Sequence, residues 1–152
     1  MFQRTGKIAG NAPAIDLSAE RSLQAVCIEL ASASLICSAH DCAEGGLAVA
    51  LAEAVIESRN GLGATITHLP IETIRPDFAL FGESQSRVVA SCKATQLQEF
   101  MTVAAKHGVP VHQIGKVMAQ ARLTIANKID LEVGVLREIY RSAIPGAVGE
   151  TN

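Results

Sequence analysis

Apolar positions recur along this chain at two spacings, one helical and one extended. Leu23, Val26, Cys27, Leu30 and Ala31 repeat at helical spacing, which predicts a helix from Ala19 to about Ser34 with Asp16 or Ser18 as its cap. The short apolar run Leu35–Ser38 suits a buried strand, and His40–Gly46 reads as a loop. Leu47–Arg59 is apolar over most of its circumference and predicts a largely buried helix, with Gly61 as its left-handed stop. Ala64–His68 alternates as a strand does. Pro70–Phe81 predicts a short helix or turn at Ile71–Ile74 and a second turn after Pro76. Arg87–Cys92 predicts a strand and Thr95–Lys106 an amphipathic helix stopped by Gly108. Pro110–Val117, Ala121–Ala126 and Ile129–Val133 predict three strands, the last two joined at Asn127-Lys128. Leu136–Ser142 predicts a final helix.

Helices and strands interleave without strict alternation, so the class is α+β or α/β, with a mixed sheet under packed helices. Residues 1–16 read as a linker or arm, 17–144 as one domain, and 145–152 as a mobile tail. With 152 residues, 49% hydrophobic and 18% charged, the chain can bury a core and is not a disordered one. Aromatics are 3% with no Trp, so Ala, Val, Leu and Ile must fill that core.

A net charge of −2, with no basic patch and no aromatic platform, argues against a nucleic-acid partner. No run reaches the ~18 apolar residues of a membrane span, and the N-terminus lacks the apolar stretch of a secretory signal. Cys27, Cys37, Cys42 and Cys92 form no CxxC pair, which reads as reduced thiols rather than a zinc site.

Two stretches concentrate polar chemistry. SAHDCAEGGL, residues 38–47, leads into the apolar helix. The amides of Gly45, Gly46 and Leu47 face the loop, where a helix start favours an anion. Asp41 and Glu44 either hold Mg²⁺ through oxygen or cap the helix; His40 reads as structural. LFGESQSRVV, residues 80–89, sets Glu83, Ser84, Gln85, Ser86 and Arg87 together. This is either a grip for a polar small molecule or a solvated loop bonding its own backbone. His68, His107 and His112 read as structural. The chain has no G-x-S-x-G, Walker A or G-x-G-x-x-G motif.

SAHDCAEGGLAVALAEA and LFGESQSRVV resemble two segments of the phosphoribosylformylglycinamidine synthase family, and APAIDLSAE at 12–20 and HGVPVHQIGKV at 107–117 match it in the same order. The resemblance covers nearly the whole chain and points to the C-terminal, aminoimidazole-ribonucleotide-synthase-type domain of the family's second half. It implies a three-layer α/β/α domain with a mixed sheet. The family amidates formylglycinamide ribonucleotide in purine biosynthesis with ATP, glutamine and Mg²⁺, in the cytoplasm.

By resemblance, Asp41 falls on a metal-binding position, and Glu83, Ser84 and Gln85 on substrate-holding ones. His40, Gly45, Gly46 and Arg87 complete the implied nucleotide or substrate site, Arg87 either anchoring its loop or meeting phosphate. The implied partners are N-terminal domains of the same type and a glutaminase subunit or domain. Ala43 departs from a usual Ser, and Glu44 stands where Asp is common. The catalytic His and ATP-binding lysine of the family belong to the N-terminal domains, so this chain alone is expected to be inactive. An uncovered apolar face is expected to drive homodimer formation or aggregation. The alternative is a non-catalytic nucleotide-binding or assembly module of the same superfamily.

Overall fold

A computed structural model describes residues 14–69 and 75–149. Among the described residues, five α-helices and six strands are ordered α1 (Leu17–Ser32), β1 (Ser38–Asp41), α2 (Gly46–Ile56), β2 (Gly63–Ile66), α3 (Pro76–Phe81), β3 (Val88–Ser91), α4 (Leu97–Lys106), β4 (Gly115–Met118), β5 (Arg122–Ile125), β6 (Ile129–Glu132) and α5 (Val133–Ala147). A 3₁₀ turn, Ala94–Gln96, leads into α4. The class is α+β with a mixed sheet.

The strands form two sheets. One has four strands in the order β4-β2-β5-β6, with β2 parallel to β5 and the other pairs antiparallel. The other is an antiparallel ribbon of β1 and β3, pairing Asp41 with Val88 and Ser38 with Ser91. β2 lies second in the larger sheet, and three of its four residues are buried. At its start, a Cβ on Gly63 would collide with the carbonyls of Gln120 and Arg122, so only glycine lets the β4–β5 turn lie this close.

Burial falls into two clusters. The larger joins Leu47, Leu51 and Val55 of α2 to Ile66 of β2, Leu123 and Ile125 of β5, and Val133 of α5. The smaller joins Val26 and Leu30 of α1 to Leu35 and to Phe100 and Ala104 of α4. The ribbon lies between them: Val89 packs on the first, and Ile36 and Cys92 beside its strands pack on the second.

Several expected boundaries move. The first strand is Ser38–Asp41, not Leu35–Ser38. Leu35 is buried, but as the stop of α1, where Ser34 turns left-handed and the Leu35 amide donates to the Leu30 carbonyl at 2.9 Å. That bond closes the helix end and starts the strand three residues later. His40 and Asp41 therefore sit on a strand rather than in a loop. α2 ends at Ile56; Gly61 is left-handed, but within the turn that follows, its amide donating to the Ser58 carbonyl.

The β5–β6 hairpin turns on Ala126 and Asn127, both at positive φ, one residue earlier than expected. Residues 110–114 lie outside β4. α5 starts at Val133 and runs through Pro145 to Ala147, so the expected break at residue 144 falls inside a helix. Pro145 lies in its last turn, and the helix continues only two residues beyond it. The expected turn at Ile71–Ile74 and most of the 1–16 arm lie outside the described residues. Among the described residues no helix is long and apolar enough to cross a membrane.

α1 and α4 are tied by charge as well as by apolar contact. The Glu29 carboxylate accepts from Lys106 Nζ at 2.8 Å and lies 2.7 Å from His107 Nε2. These two partners hold its pKa below the ordinary carboxylate value. A depressed carboxylate adds stability above its unfolded pKa, and that stability is lost as pH falls through the folded value. Glu29→Gln should therefore remove stability near neutrality and flatten the acid limb, the variant and wild type converging below the folded pKa. Urea denaturation from pH 6 to pH 3 measures this.

Candidate functional site

The two polar motifs, 38 residues apart in sequence, meet at the start of α2. Gly45 and Gly46 are both left-handed, at φ 77° and 67°. This pair turns the chain sharply from the ribbon into the helix, a backbone path that a side chain would strain. It also lets the helix start lie against another backbone: a Cβ on Gly46 would stand 2.7 Å from the Gly82 carbonyl oxygen and 2.9 Å from the Phe81 carbonyl carbon. α3 supplies that backbone, with Ala79 and Leu80 buried beneath it.

The Gly45 amide donates to Glu83 Oε1 at 3.0 Å. A carboxylate therefore occupies the electropositive start of α2, where free amides favour negative charge. Sequence alone offered Asp41 and Glu44 as caps. Among the described residues neither accepts an amide from this helix, and the cap comes from across the fold.

The 82–87 loop is held from within and from outside. Arg87 folds back, donating from Nη2 to the Gly82 carbonyl and from Nε to the Ser84 carbonyl at 3.3 Å. Ser86 is left-handed at φ 59°, and its hydroxyl donates to Glu20 Oε2 on α1 at 2.7 Å. That bond and another from Gln24 hold the Glu20 carboxyl below its usual pKa. The Cys42 amide donates to the Arg87 carbonyl at 2.9 Å, extending the ribbon past its last strand pair. Burial pushes the Cys42 thiol up, and the Arg87 charge only partly opposes this, so Cys42 stays an inert, protonated core thiol.

The structure thus brings the Glu83–Arg87 loop to Gly45 and Gly46 at the start of α2, with His40 and Asp41 on the ribbon strand paired to the strand that follows that loop. Asp41 is exposed over 72% of its side chain, and Ser84 and Gln85 are exposed in the second loop. Glu83 and Arg87 spend their polar groups on backbone. Three residues outside the expected set join the arrangement. Glu20 holds Ser86, Gly82 makes room for the turn after α3, and Glu53 of α2 reaches His40, its Oε2 3.1 Å from Nε2. Glu53 carried a sequence signal, as the one charge within an apolar helix; Glu20 and Gly82 lie inside segments that resemble the family, but nothing in their local pattern marked them. Among the described residues no group of three or more His, Cys, Asp or Glu could hold a metal ion. Asp41 stands as a single exposed carboxylate.

A profile of the family described as AIR synthase related protein, C-terminal domain, matches residues 2–128. The chain belongs to this family. The AIR synthase-related chain is 40% identical over 146 residues to the phosphoribosylformylglycinamidine synthase subunit PurL of Thermobifida fusca, covering 95% of this chain and 18% of that protein. It is 37% identical over 143 residues to the Moorella thermoacetica subunit, with 92% and 19% covered. It spans about a fifth of the length of these relatives. The solved structure of Thermotoga maritima PurL complexed with FGAR superposes with a TM-score of 0.73 at 24% identity, over 88% of this chain and 23% of that one. The T. maritima PurL complex with ATP superposes with a TM-score of 0.69 at 24% identity, over 81% and 22%. At these identities the superpositions show a shared fold.

The glycine pair gives a direct test of how the loops are joined. Gly46 and Gly61 are left-handed alike, but a Cβ on Gly61 meets nothing within 4 Å. Gly61→Ala should cost only about 1–2 kcal/mol of backbone strain. Gly46→Ala should cost distinctly more, because it also drives α2 away from Gly82. Thermal denaturation of the two variants checks the difference.

Proposed function

We propose that this chain is a cytoplasmic domain of a phosphoribosylformylglycinamidine synthase, acting in the ATP- and glutamine-dependent amidation of formylglycinamide ribonucleotide. The observation that carries the reading is the joining of its two motifs at the start of α2 by the Gly45–Glu83 bond, in a chain similar along 95% of its length to a PurL subunit. In that reaction ATP phosphorylates the formyl amide oxygen, converting a poor leaving group into phosphate. Ammonia from a glutaminase partner then displaces the phosphate and leaves the amidine. A T. maritima structure titled PurLQS, matched at a TM-score of 0.69, supports an assembly of several subunits.

In this reading each loop has a separate task. Asp41 would hold a Mg²⁺ ion whose charge would screen phosphate; one exposed carboxylate suits an ion held by one or two carboxylates plus phosphates. Ser84 and Gln85 offer a hydroxyl and an amide to a polar ligand. Arg87 anchors its loop instead of meeting phosphate, because its guanidinium is turned onto the Gly82 and Ser84 carbonyls. Glu83 and the Gly45-Gly46 pair set the spacing between the loops, and His40 holds Asp41. The rest of the site comes from N-terminal domains of the same type, and the chain alone does not turn over substrate.

Calorimetric titration with Mg-ADP tests this. The expected result is weak or no binding to the chain alone, binding when the N-terminal domains of the same synthase are added, and loss of that binding in Asp41→Ala. If the added domains leave binding unchanged, the reading as a synthase domain fails. The alternative, a non-catalytic assembly module, then takes its place, favoured by the Glu83 carboxylate already seated on the α2 amide.

The apolar surface supports a companion expectation. Ile139, Tyr140 and Ile144 of α5 are each more than half exposed, as is Val117 of β4. A face of this kind tends to be covered by another domain or by another copy. Light scattering of the isolated chain should show a dimer or larger species, and a monomer at high concentration would contradict it.

A further inference from the structure

We propose that Glu53 is a positioning residue for Asp41 and acts through the His40 ring. The inference rests on reading Asp41 as the outward carboxylate of the site. α2 has the sequence GLAVALAEAVI, in which Glu53 is the one charged residue. Seven of its eleven residues are buried, and a carboxylate on such a helix needs a partner. Its partner is His40, on the neighbouring ribbon, with Nε2 3.1 Å from Glu53 Oε2. Both side chains are about two-thirds buried. On its other side the ring meets Asp41: Nδ1 lies 2.7 Å from the Asp41 carbonyl oxygen and 3.6 Å from Oδ1.

The chemistry of these partners fixes what the ring does. A carbonyl oxygen can only accept, so Nδ1 carries a proton. Nε2 faces the Glu53 carboxylate at 3.1 Å. With a partner at each ring nitrogen, His40 is a bracket between α2 and β1. Among the described residues the Asp41 carboxylate accepts no hydrogen bond, and the His40 ring is its one ion-pair neighbour. Without Glu53 the ring is held only by the Asp41 carbonyl, and Asp41 loses the fixed neighbour that limits its rotamers. Carboxylates behind a ligating group commonly act in this way.

The test reads Asp41 directly in the whole chain. The three-bond Hα–Hβ couplings of Asp41 report its rotamer, and the His40 ring ¹⁵N shifts report whether the ring keeps its place. Wild type should show one Asp41 rotamer. Glu53→Leu, apolar like its helix, should average the couplings and move the Nε2 shift. Glu53→Gln, whose polar amide can still meet Nε2, should restore the single rotamer.

His40→Ala, on the more exposed ribbon, should match Glu53→Leu, and the double variant should add nothing further; it also tests the link if α2 does not tolerate leucine. Unchanged Asp41 couplings in Glu53→Leu and His40→Ala would overturn the proposal. Mn²⁺, titrated as a probe for Mg²⁺, should bind about tenfold more weakly to Glu53→Leu than to wild type; equal binding would overturn the positioning role. If the wild-type chain alone binds no Mn²⁺, the site needs its N-terminal domains and the couplings alone decide the role of Glu53.

Discussion

Everything in the site depends on how closely the first turn of α2 can approach the backbone leaving α3. Two left-handed glycines in succession make that approach, and a single methyl group on the second would lie within 3 Å of the Gly82 and Phe81 carbonyl groups. Because the two backbones touch, loops from separate halves of the chain become one structure. The bond from Gly45 to Glu83 then closes the gap with charge. The helix start is positive and the carboxylate is negative, so the bond is charge-assisted.

This arrangement divides the polar residues into those that build the site and those that it presents. Glu83, Ser86 and Arg87 are turned inward, onto the Gly45 amide, onto Glu20 and onto the carbonyls of their own loop. Asp41, Ser84 and Gln85 are turned outward. A loop of five consecutive polar residues thus holds its shape without an apolar core of its own. The left-handed Ser86 is the cost of that shape, offset by its bond to α1.

The same division runs through the larger architecture. α2 is clamped between the four-stranded sheet and the ribbon, so its ends cannot drift. α1 and α4 form a second, smaller cluster on the other side, tied by Glu29, Lys106 and His107. The ribbon between these clusters carries His40 and Asp41 at a fixed register opposite Val88 and Val89. Its position ties the metal-facing carboxylate of the proposed site to α2 through the strand, and through the His40–Glu53 contact as well.

Local pattern was enough to place α1, α2, α4 and the strands β2, β3, β5 and β6 to within a few residues. Burial on one side of a helix or strand leaves a periodic trace. The two motifs were legible for the same local reason, since dense polar residues and paired glycines are written in consecutive positions. Sequence by itself therefore determined the class of the fold and the family. It could not decide what each polar group bonds to. Asp41, Glu44 and Glu83 are all carboxylates, and any of them could cap a helix; only the tertiary approach of α3 to α2 assigns that task to Glu83. It could not decide that Arg87 turns inward, that Glu20 reaches Ser86, or that Glu53 reaches His40. The Arg87 bonds span only three and five positions, but the other choices are made by contacts between residues 13, 38 and 66 positions apart, and such contacts leave no period in the chain.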